Sequence, residues 1–417
     1  MLPERVRARP GLGVLLAALA VEFADEFFDG TKSAAIPLIR HDLNLSYAQV
    51  GMLAAVPLVL GGLLELPVGV LAGSGRRRRR FILAGGVVFT AAVLTAASAG
   101  SFGTLLVALT IFFPASGAFV GLTQSAVLDS APARRAQQMM RWTVAGSAGA
   151  VAGPLVLTAV LAAGGTWRLA FVLVGAASGV SLLAVYGATG QHPRSGGRAE
   201  ADRTEPGRPE AGRAQAAGSE AGWPGWRSAS RIVCQSGAVR WLALLQVADL
   251  LLDVFTAFVA VYLVSVAHAS PATAALGIAI RLGAGLAGDL VLIRPLEQRD
   301  PRRVLRAGAW LALAAVPAFL LAPGLWVKLI CLAVVTLGTA PWYPVLTAEL
   351  FGSLAGRSGL AVSLSSVAGM AGGAGPLALG LLAQRFGLGW AMAGLAAVPL
   401  VMLAGSGPMA GRRTAAG

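Results

Sequence analysis

The chain has 417 residues, of which 56% are hydrophobic and only 12% are charged. A soluble globular protein usually carries about 25% charged residues, so this composition excludes a soluble protein of ordinary surface and indicates an integral membrane protein. The formal net charge of +14 favours a nucleic-acid partner only if the arginines form one basic surface.

Apolar segments long enough to cross a bilayer follow one another along the whole chain. We predict an all-α integral membrane protein with about twelve transmembrane helices, at residues 12–38, 47–73, 81–99, 102–127, 136–162, 167–188, 240–267, 272–293, 304–322, 325–350, 358–384 and 388–406. The first segment is basic and then apolar, as in a secretory signal. It is too long for a signal and contains acids such as Glu22 and Asp25, so we predict that it is the first span.

Arginine clusters occupy alternate loops between the predicted spans. They precede span one, follow spans two, four, eight and ten, recur between spans six and seven, and end the chain. By the positive-inside rule, both termini and the central loop are predicted to be cytoplasmic. Because orientation explains these arginines, we predict no nucleic-acid partner. The high Arg and Ala content, with only two lysines, is typical of a GC-rich bacterium and hence of a bacterial plasma (inner) membrane.

The chain divides into two segments of similar length. Residues 189–239 are rich in Gly, Ala, Arg, Glu and Pro and lack apolar periodicity, which predicts a disordered cytoplasmic linker. Residues 1–188 and 240–417 then form two six-helix bundles. Two halves of this kind are typical of secondary transporters, with the substrate site between the halves near the midplane.

Matching residues in the two halves predict an internal repeat. Polar residues at equal spacing in spans one and seven are Glu22, Asp25 and Asp29 in the first half and Gln246, Asp249 and Asp253 in the second. Gly-Pro pairs in spans five and eleven are Gly153-Pro154 and Gly375-Pro376.

In this combination the sequence resembles the major facilitator superfamily, over essentially the whole chain. The segment from Gly69 to Gly73, with the arginines from Arg76 behind it, looks like the family's loop motif between helices two and three. That motif normally ends in aspartate, and Gly73 replaces it here, whereas Asp289 supplies the aspartate in the second half. The resemblance implies a transporter that acts as a monomer.

A glycine-rich run in span five, which includes Gly149, Gly153 and Pro154, is similar to the motif of the family's exporters. Close packing of helices through small residues is its structural interpretation, and the two interpretations are compatible. The stretch from Leu45 to Gly69 looks distantly like the branch that includes fosmidomycin-resistance exporters.

Acidic residues lie where the first span crosses the hydrocarbon. Glu22, Asp25, Glu26 and Asp29 fall on one helix face at 100° per residue. A charge at the centre of a membrane helix costs about 2.5–3.5 kcal/mol on insertion scales. We therefore predict that this face, with its counterpart on span seven, lines a central water-filled cavity.

Three further ionisable residues belong to the predicted site. Lys32 continues the acidic face of span one, Arg281 is placed to pair with Asp249 or Asp253, and Glu65 lies in span two. A buried pair that only fixes helix orientation is the structural alternative for Arg281, and a cap at the Pro67 kink is the alternative for Glu65. Near cytoplasmic helix ends, Asp129 and Glu349 are predicted to pair with Arg134 and Arg357.

These residues favour a proton-coupled exporter that works by alternating access. Closely spaced carboxylates cannot all ionise in a low dielectric, so we expect them to share protons as a coupled set. Protons and a cationic or amphipathic small molecule would then compete for the acids. We predict no cofactor and no resident metal.

Other functions remain open at this point. An importer of a cationic nutrient or a divalent metal would use the same acids, and a non-transporting sensor would keep the fold. An enzyme is not expected, because no nucleophile–base or metal-ligand constellation is present and the three histidines, His41, His192 and His268, lie in predicted loops.

Overall fold

In a computed structural model of the protein, the residues described are 12–61, 63–64, 75–130, 135–190, 237–353, 369 and 372–407. Within these ranges the regular secondary structure is helical, with no β-strand. The predicted linker lies almost wholly outside the described residues, as do both ends of the chain.

Over its described residues, the first half contains six main helical segments. They are α1 (Leu12–Asp42), α2 (Tyr47–Gly61), α3 (Gly75–Ala97), α4 (Phe102–Ser116, Gly117–Gly121 and Leu122–Ser130), α5 (Arg135–Ala162) and α6 (Trp167–Gly190).

The second half repeats this order. Its segments are α7 (Ala238–Ser265), α8 (Pro271–Gln298), α9 (Pro301–Leu321), α10 (Leu325–Thr339 and Trp342–Ser353), α11 (Ala374–Phe386) and α12 (Leu388–Gly405).

Nine of the helices in the described part of the chain are long and apolar enough to cross a membrane. Helix α1 has 31 residues and is about 46 Å long at 1.5 Å per residue, which is enough to cross a bilayer. It is not among the nine because it carries the charged residues of the predicted acidic face. Helices α2 and α11 are shorter over their described residues. The predicted all-α membrane fold is confirmed, and the number of helices agrees approximately with the predicted twelve.

Local sequence signals set several helix starts. Ser46 accepts a hydrogen bond from the backbone of Gln49, whose side chain accepts one from the backbone of Ser46, which is a capping box at the start of α2. Ser101 and Ser270 cap α4 and α8 by accepting a hydrogen bond from the backbone of Thr104 and Thr273, and Pro271 occupies the first position of α8. These starts follow short loops, so consecutive helices run antiparallel.

Small residues let α1 and α5 approach closely. A Cβ added to Gly153 would lie 2.5 Å from the backbone nitrogen of Thr31, and one added to Gly149 would collide with the backbone oxygen of Phe23. The Cδ atom of Pro154 lies 3.1 Å from where a Cβ of Gly30 would be. The glycines of the predicted exporter motif therefore hold these two helices together through backbone contact.

The halves contact each other at the helix ends opposite those where the central segment leaves α6 and enters α7. The backbone nitrogen of Tyr47 donates to Oε1 of Gln384 at 3.2 Å, which joins α2 to α11. A Cβ on Gly51 would lie 2.5 Å from the backbone oxygen of Pro376, and Thr158 of α5 donates to the backbone of α8 at 3.5 Å. At this end the two halves are closed against each other.

Candidate functional site

Three helices that border the space between the halves contain a π-helical turn. These turns are Pro57–Gly61 in α2, Gly117–Gly121 in α4 and Leu250–Val254 in α7. A π-turn is rare, shifts the backbone hydrogen bonds by one residue and is frequent at functional sites. Residues of all three turns, among them Pro57, Gly117 and Asp253, line the same cavity.

The cavity has a volume of about 710 Å³ and is lined by α1, α2, α4, α7, α8 and one turn of α11. Among the described residues, six ionisable side chains line it: Asp25, Glu26, Asp29, Lys32, Asp253 and Arg281. Apolar side chains, among them Leu58, Phe112 and Phe113, complete its walls. A site with a few convergent charged groups in a largely apolar lining suits a small amphipathic ligand.

On the wall formed by the first half, the acids of α1 have defined partners. Ser116, just before the π-turn of α4, donates to Asp25 at 2.9 Å. Asp29 forms an ion pair with Lys32, one turn further along the helix. Glu26 lies within electrostatic range of both members of that pair. The three acids thus form one continuous charged surface.

On the opposite wall, Arg281 of α8 is 7% exposed. Its guanidinium donates to the backbone oxygens of Leu252 at 2.7 Å and Leu251 at 3.3 Å, and to the hydroxyl of Thr256. Both carbonyls belong to the π-turn of α7, where the regular α-helical hydrogen bonding is interrupted. Arg281 is therefore anchored to the backbone of α7, and it interacts electrostatically with Asp253, one of the two predicted partners.

The two walls face each other through their aspartates. Asp253 lies within electrostatic range of Asp29 on α1 as well as of Arg281. Asp29 and Asp253 occupy equivalent positions in the predicted repeat. The structure thus brings together carboxylates from both halves, one from each central helix, across a single cavity.

Glu22, Gln246 and Asp249 occupy a different place from the other predicted site residues. They are absent from the part of the cavity lining that the structure describes. The Glu22 carboxylate lies against α5, with its Oε1 atom 2.6 Å from where a Cβ of Gly146 would be, and it hydrogen-bonds the side chain of Trp142. Of the predicted acidic face, Asp25, Glu26 and Asp29 therefore line the cavity, whereas Glu22 lies in the contact between α1 and α5.

The equivalent position on α7, in the second half, holds a similar pair of polar side chains. Gln246 donates to Asp249 at 3.2 Å, and a Cβ on Gly372 would lie 3.0 Å from the Gln246 side chain. A Cβ on Gly375 would lie 2.8 Å from a methyl group of Val254 on α7. In both halves a glycine thus leaves room for polar side chains: Gly146 beside Glu22 of α1, and Gly372 beside Gln246 of α7.

Several predicted residues cannot be placed at the site. Glu65 and Gly69 lie outside the described residues. Arg76 is in the first turn of α3, and Asp289 is exposed in the second half of α8. In the described ranges, no group of three or more His, Cys, Asp or Glu side chains is placed to bind a metal.

Asp129 and Glu349 pair with arginines that the sequence did not predict, and their predicted partners Arg134 and Arg357 lie outside the described residues. Arg78 at the start of α3 donates to Asp129 at 2.8 Å. Arg302 at the start of α9 donates to both oxygens of Glu349, at 2.7 and 2.8 Å. The antiparallel arrangement of consecutive helices brings the start of one beside the end of the next, so the partner comes from the preceding helix.

Sequence reasoning also missed Ser116 and the two phenylalanines Phe112 and Phe113 of α4. The signal that was available is the irregular composition of this helix, in which Pro114 is followed by Gly117 at the π-turn.

The fold and the cavity between its halves define a multi-pass membrane transport protein. The sequence profile of the Major Facilitator Superfamily matches residues 18–344, and the chain belongs to this family of transporters. This membership makes it a transport protein and not an enzyme. No curated protein matches the sequence.

Solved transporter structures share the fold. A bacterial homologue of the human lysosomal transporter Spinster, in an inward-facing and unoccupied conformation, is 16% identical with a TM-score of 0.73, covering 94% of this chain and 95% of that one. The nucleoside transporter NupG is 13% identical, with a TM-score of 0.70 and coverage of 94% and 98%. A variant of the peptide transporter POT in complex with sulfate is 16% identical, with a TM-score of 0.67 and coverage of 94% and 93%.

Proposed function

We propose that this protein is a proton-coupled antiporter that exports a small cationic or amphipathic molecule. The observation that carries the proposal is the cavity between the halves, lined by Asp25, Glu26 and Asp29 on one wall and by Asp253 on the other. Acids within a membrane protein face protein or water and commonly mark substrate or proton pathways. Here these four acids share one cavity of about 710 Å³ with apolar side chains.

Protons and substrate compete for these carboxylates in the proposed cycle. Binding of either one neutralises the acids and lowers the cost of closing the walls around them. Asp29 and Asp253 belong to different halves, so their charge state acts directly on the interface that must open and close. The halves then rock about the site to give alternating access.

The orientation in the proposal follows from the arginines. Cytoplasmic termini in a bacterial inner membrane place the closed ends of α2, α5, α8 and α11 on the outer side. With the outer side closed, the cavity is reached from the cytoplasm, which is the side from which an exporter takes up its substrate. Export by a branch near the fosmidomycin-resistance exporters fits this direction.

The proposal is tested by proton-coupled flux in proteoliposomes. A pH-sensitive dye is enclosed, and monovalent, divalent and uncharged amphipathic compounds are added in turn. We expect a cationic compound to drive proton movement in the wild type and not in Asp25→Asn. The matched control is Asp42→Asn, the same change on the same helix outside the cavity.

Each result of this assay has a definite meaning. Proton movement with cations, retained in Asp42→Asn and lost in Asp25→Asn, supports the proposal. Substrate accumulation in the direction of the proton gradient identifies an importer and refutes export. Flux that is unaffected by proton gradients refutes proton coupling.

A further inference from the structure

The cavity already contains a cation that belongs to the protein itself. The Lys32 ammonium forms an ion pair with Asp29, and it is also 6.0 Å from the centre of the Phe28 ring. The Lys32 side chain is 28% exposed and that of Asp29 is 56% exposed. The carboxylate is therefore open to the cavity, while its partner comes from the same helix.

Lys32 differs from Arg281, the second cation in the described cavity lining. Arg281 is held by hydrogen bonds to two backbone carbonyls of α7 and to Thr256, so it cannot leave without breaking a buried network. The Lys32 ammonium, by contrast, donates to a single side chain, Asp29 on its own helix. A lysine has a flexible stem of four carbons and a single ammonium, which allows it to move away when another cation arrives.

We propose that Lys32 acts as a tethered competitor cation, which occupies Asp29 in the empty cavity and must be displaced by a substrate that uses this carboxylate. This inference rests on the proposed function, in which the substrate is cationic. Lys32 is then a specificity-determining residue, because it sets how much negative charge the cavity offers.

The main consequence concerns the charge of the substrate. Asp29 and Asp253 lie within electrostatic range of each other across the cavity, so together they suit a dication that bridges the two walls. With Lys32 in place, Asp29 is neutralised. A monocation can then still bind at Asp25 and Glu26, whereas a dication that bridges the two walls loses one of its two carboxylates.

The test compares a monocation with a dication on purified full-length protein. Tetraphenylphosphonium and methyl viologen are the probes, and the dissociation constant of each is measured by equilibrium dialysis. An ion pair of this exposure is worth up to about 1 kcal/mol, so in Lys32→Met we expect the preference for methyl viologen to rise about fivefold.

Two variants separate charge from folding. Lys32→Arg keeps the cation and is expected to keep the wild-type preference. Asp29→Asn combined with Lys32→Met removes the carboxylate and is expected to abolish the gain. Lys32→Gln serves as a second neutral variant if Lys32→Met does not elute as a single folded species.

The outcomes distinguish this inference from the proposed function. If the wild type binds tetraphenylphosphonium and neither neutral variant shifts the preference, the competitor role is wrong while cation binding stands. If neither the wild type nor the variants bind either cation, both the competitor role and the cationic substrate are refuted. An equal shift in Lys32→Arg also overturns the inference, because charge would then not be the cause.

Discussion

Substitution of Gly149 tests the packing between α1 and α5 that supports the acidic wall of the cavity. A Cβ at this position would collide with the backbone oxygen of Phe23 and lie 3.1 Å from the backbone nitrogen of Phe27. Both obstacles are backbone atoms of α1, so no side chain can rotate away to make room. Gly149→Ala therefore requires α1 and α5 to separate.

Overpacking of this kind costs about 1–3 kcal/mol. At about 2–4 °C for each kcal/mol, as in domains of 150–250 residues, we expect the melting temperature of Gly149→Ala to fall by several degrees. The assay is thermal unfolding of the detergent-purified protein, followed by the loss of the monodisperse species.

The matched control is Gly179→Ala in α6, where an added Cβ meets no heavy atom within 4 Å. We expect this variant to unfold within a degree or so of the wild type, or slightly higher because alanine favours helix. If Gly149→Ala is as stable as Gly179→Ala, the backbone contact between α1 and α5 is not the constraint inferred here.

Three further changes give defined results. Arg281→Met removes a buried guanidinium that bonds the α7 backbone, and we expect a loss of about 2 kcal/mol or more in reversible SDS unfolding; an unchanged midpoint would show that this anchor contributes no stability. Arg302→Gln breaks the ion pair with Glu349, which is partly exposed, so a loss of about 0.5 kcal/mol that disappears in high salt is expected, and a large salt-independent loss would contradict it. Outside the membrane spans, the hydrogen bond from Arg168 holds the pKa of Asp42 below its usual value. The resulting stabilisation, under about 1 kcal/mol, is present above the unfolded-state pKa of Asp42 and is lost as pH falls through its folded-state pKa. This acid-dependent loss of stability should be absent from the melting curves of Asp42→Asn.

The helices were predictable because hydrocarbon selects long apolar segments regardless of tertiary context. The positions of Asp25, Glu26, Asp29 and Asp253 at the cavity were also expected, since an acid in a membrane helix must face protein or water and the two halves repeat the pattern. In these cases the constraint acts on one helix at a time and can be read from its own residues.

The remaining features depend on contacts between helices. Glu22 belongs to the same face as Asp25 by periodicity, but its side chain occupies the space that Gly146 of α5 leaves between α1 and α5. Arg281 bonds backbone carbonyls of the π-turn in α7, and no local pattern in Leu250–Val254 predicts that turn. The pair of Arg302 with Glu349 joins residues 47 positions apart, so it requires knowledge of which helix ends are neighbours.

Substrate-dependent proton movement in proteoliposomes, compared between wild type, Asp253→Asn and Asp42→Asn, tests the central claim most directly. The account predicts that a cationic compound moves protons in the wild type and in Asp42→Asn, and that Asp253→Asn abolishes this movement while remaining folded. Proton movement that persists in Asp253→Asn at the wild-type rate would contradict the claim that the cavity acids couple the two halves to the proton.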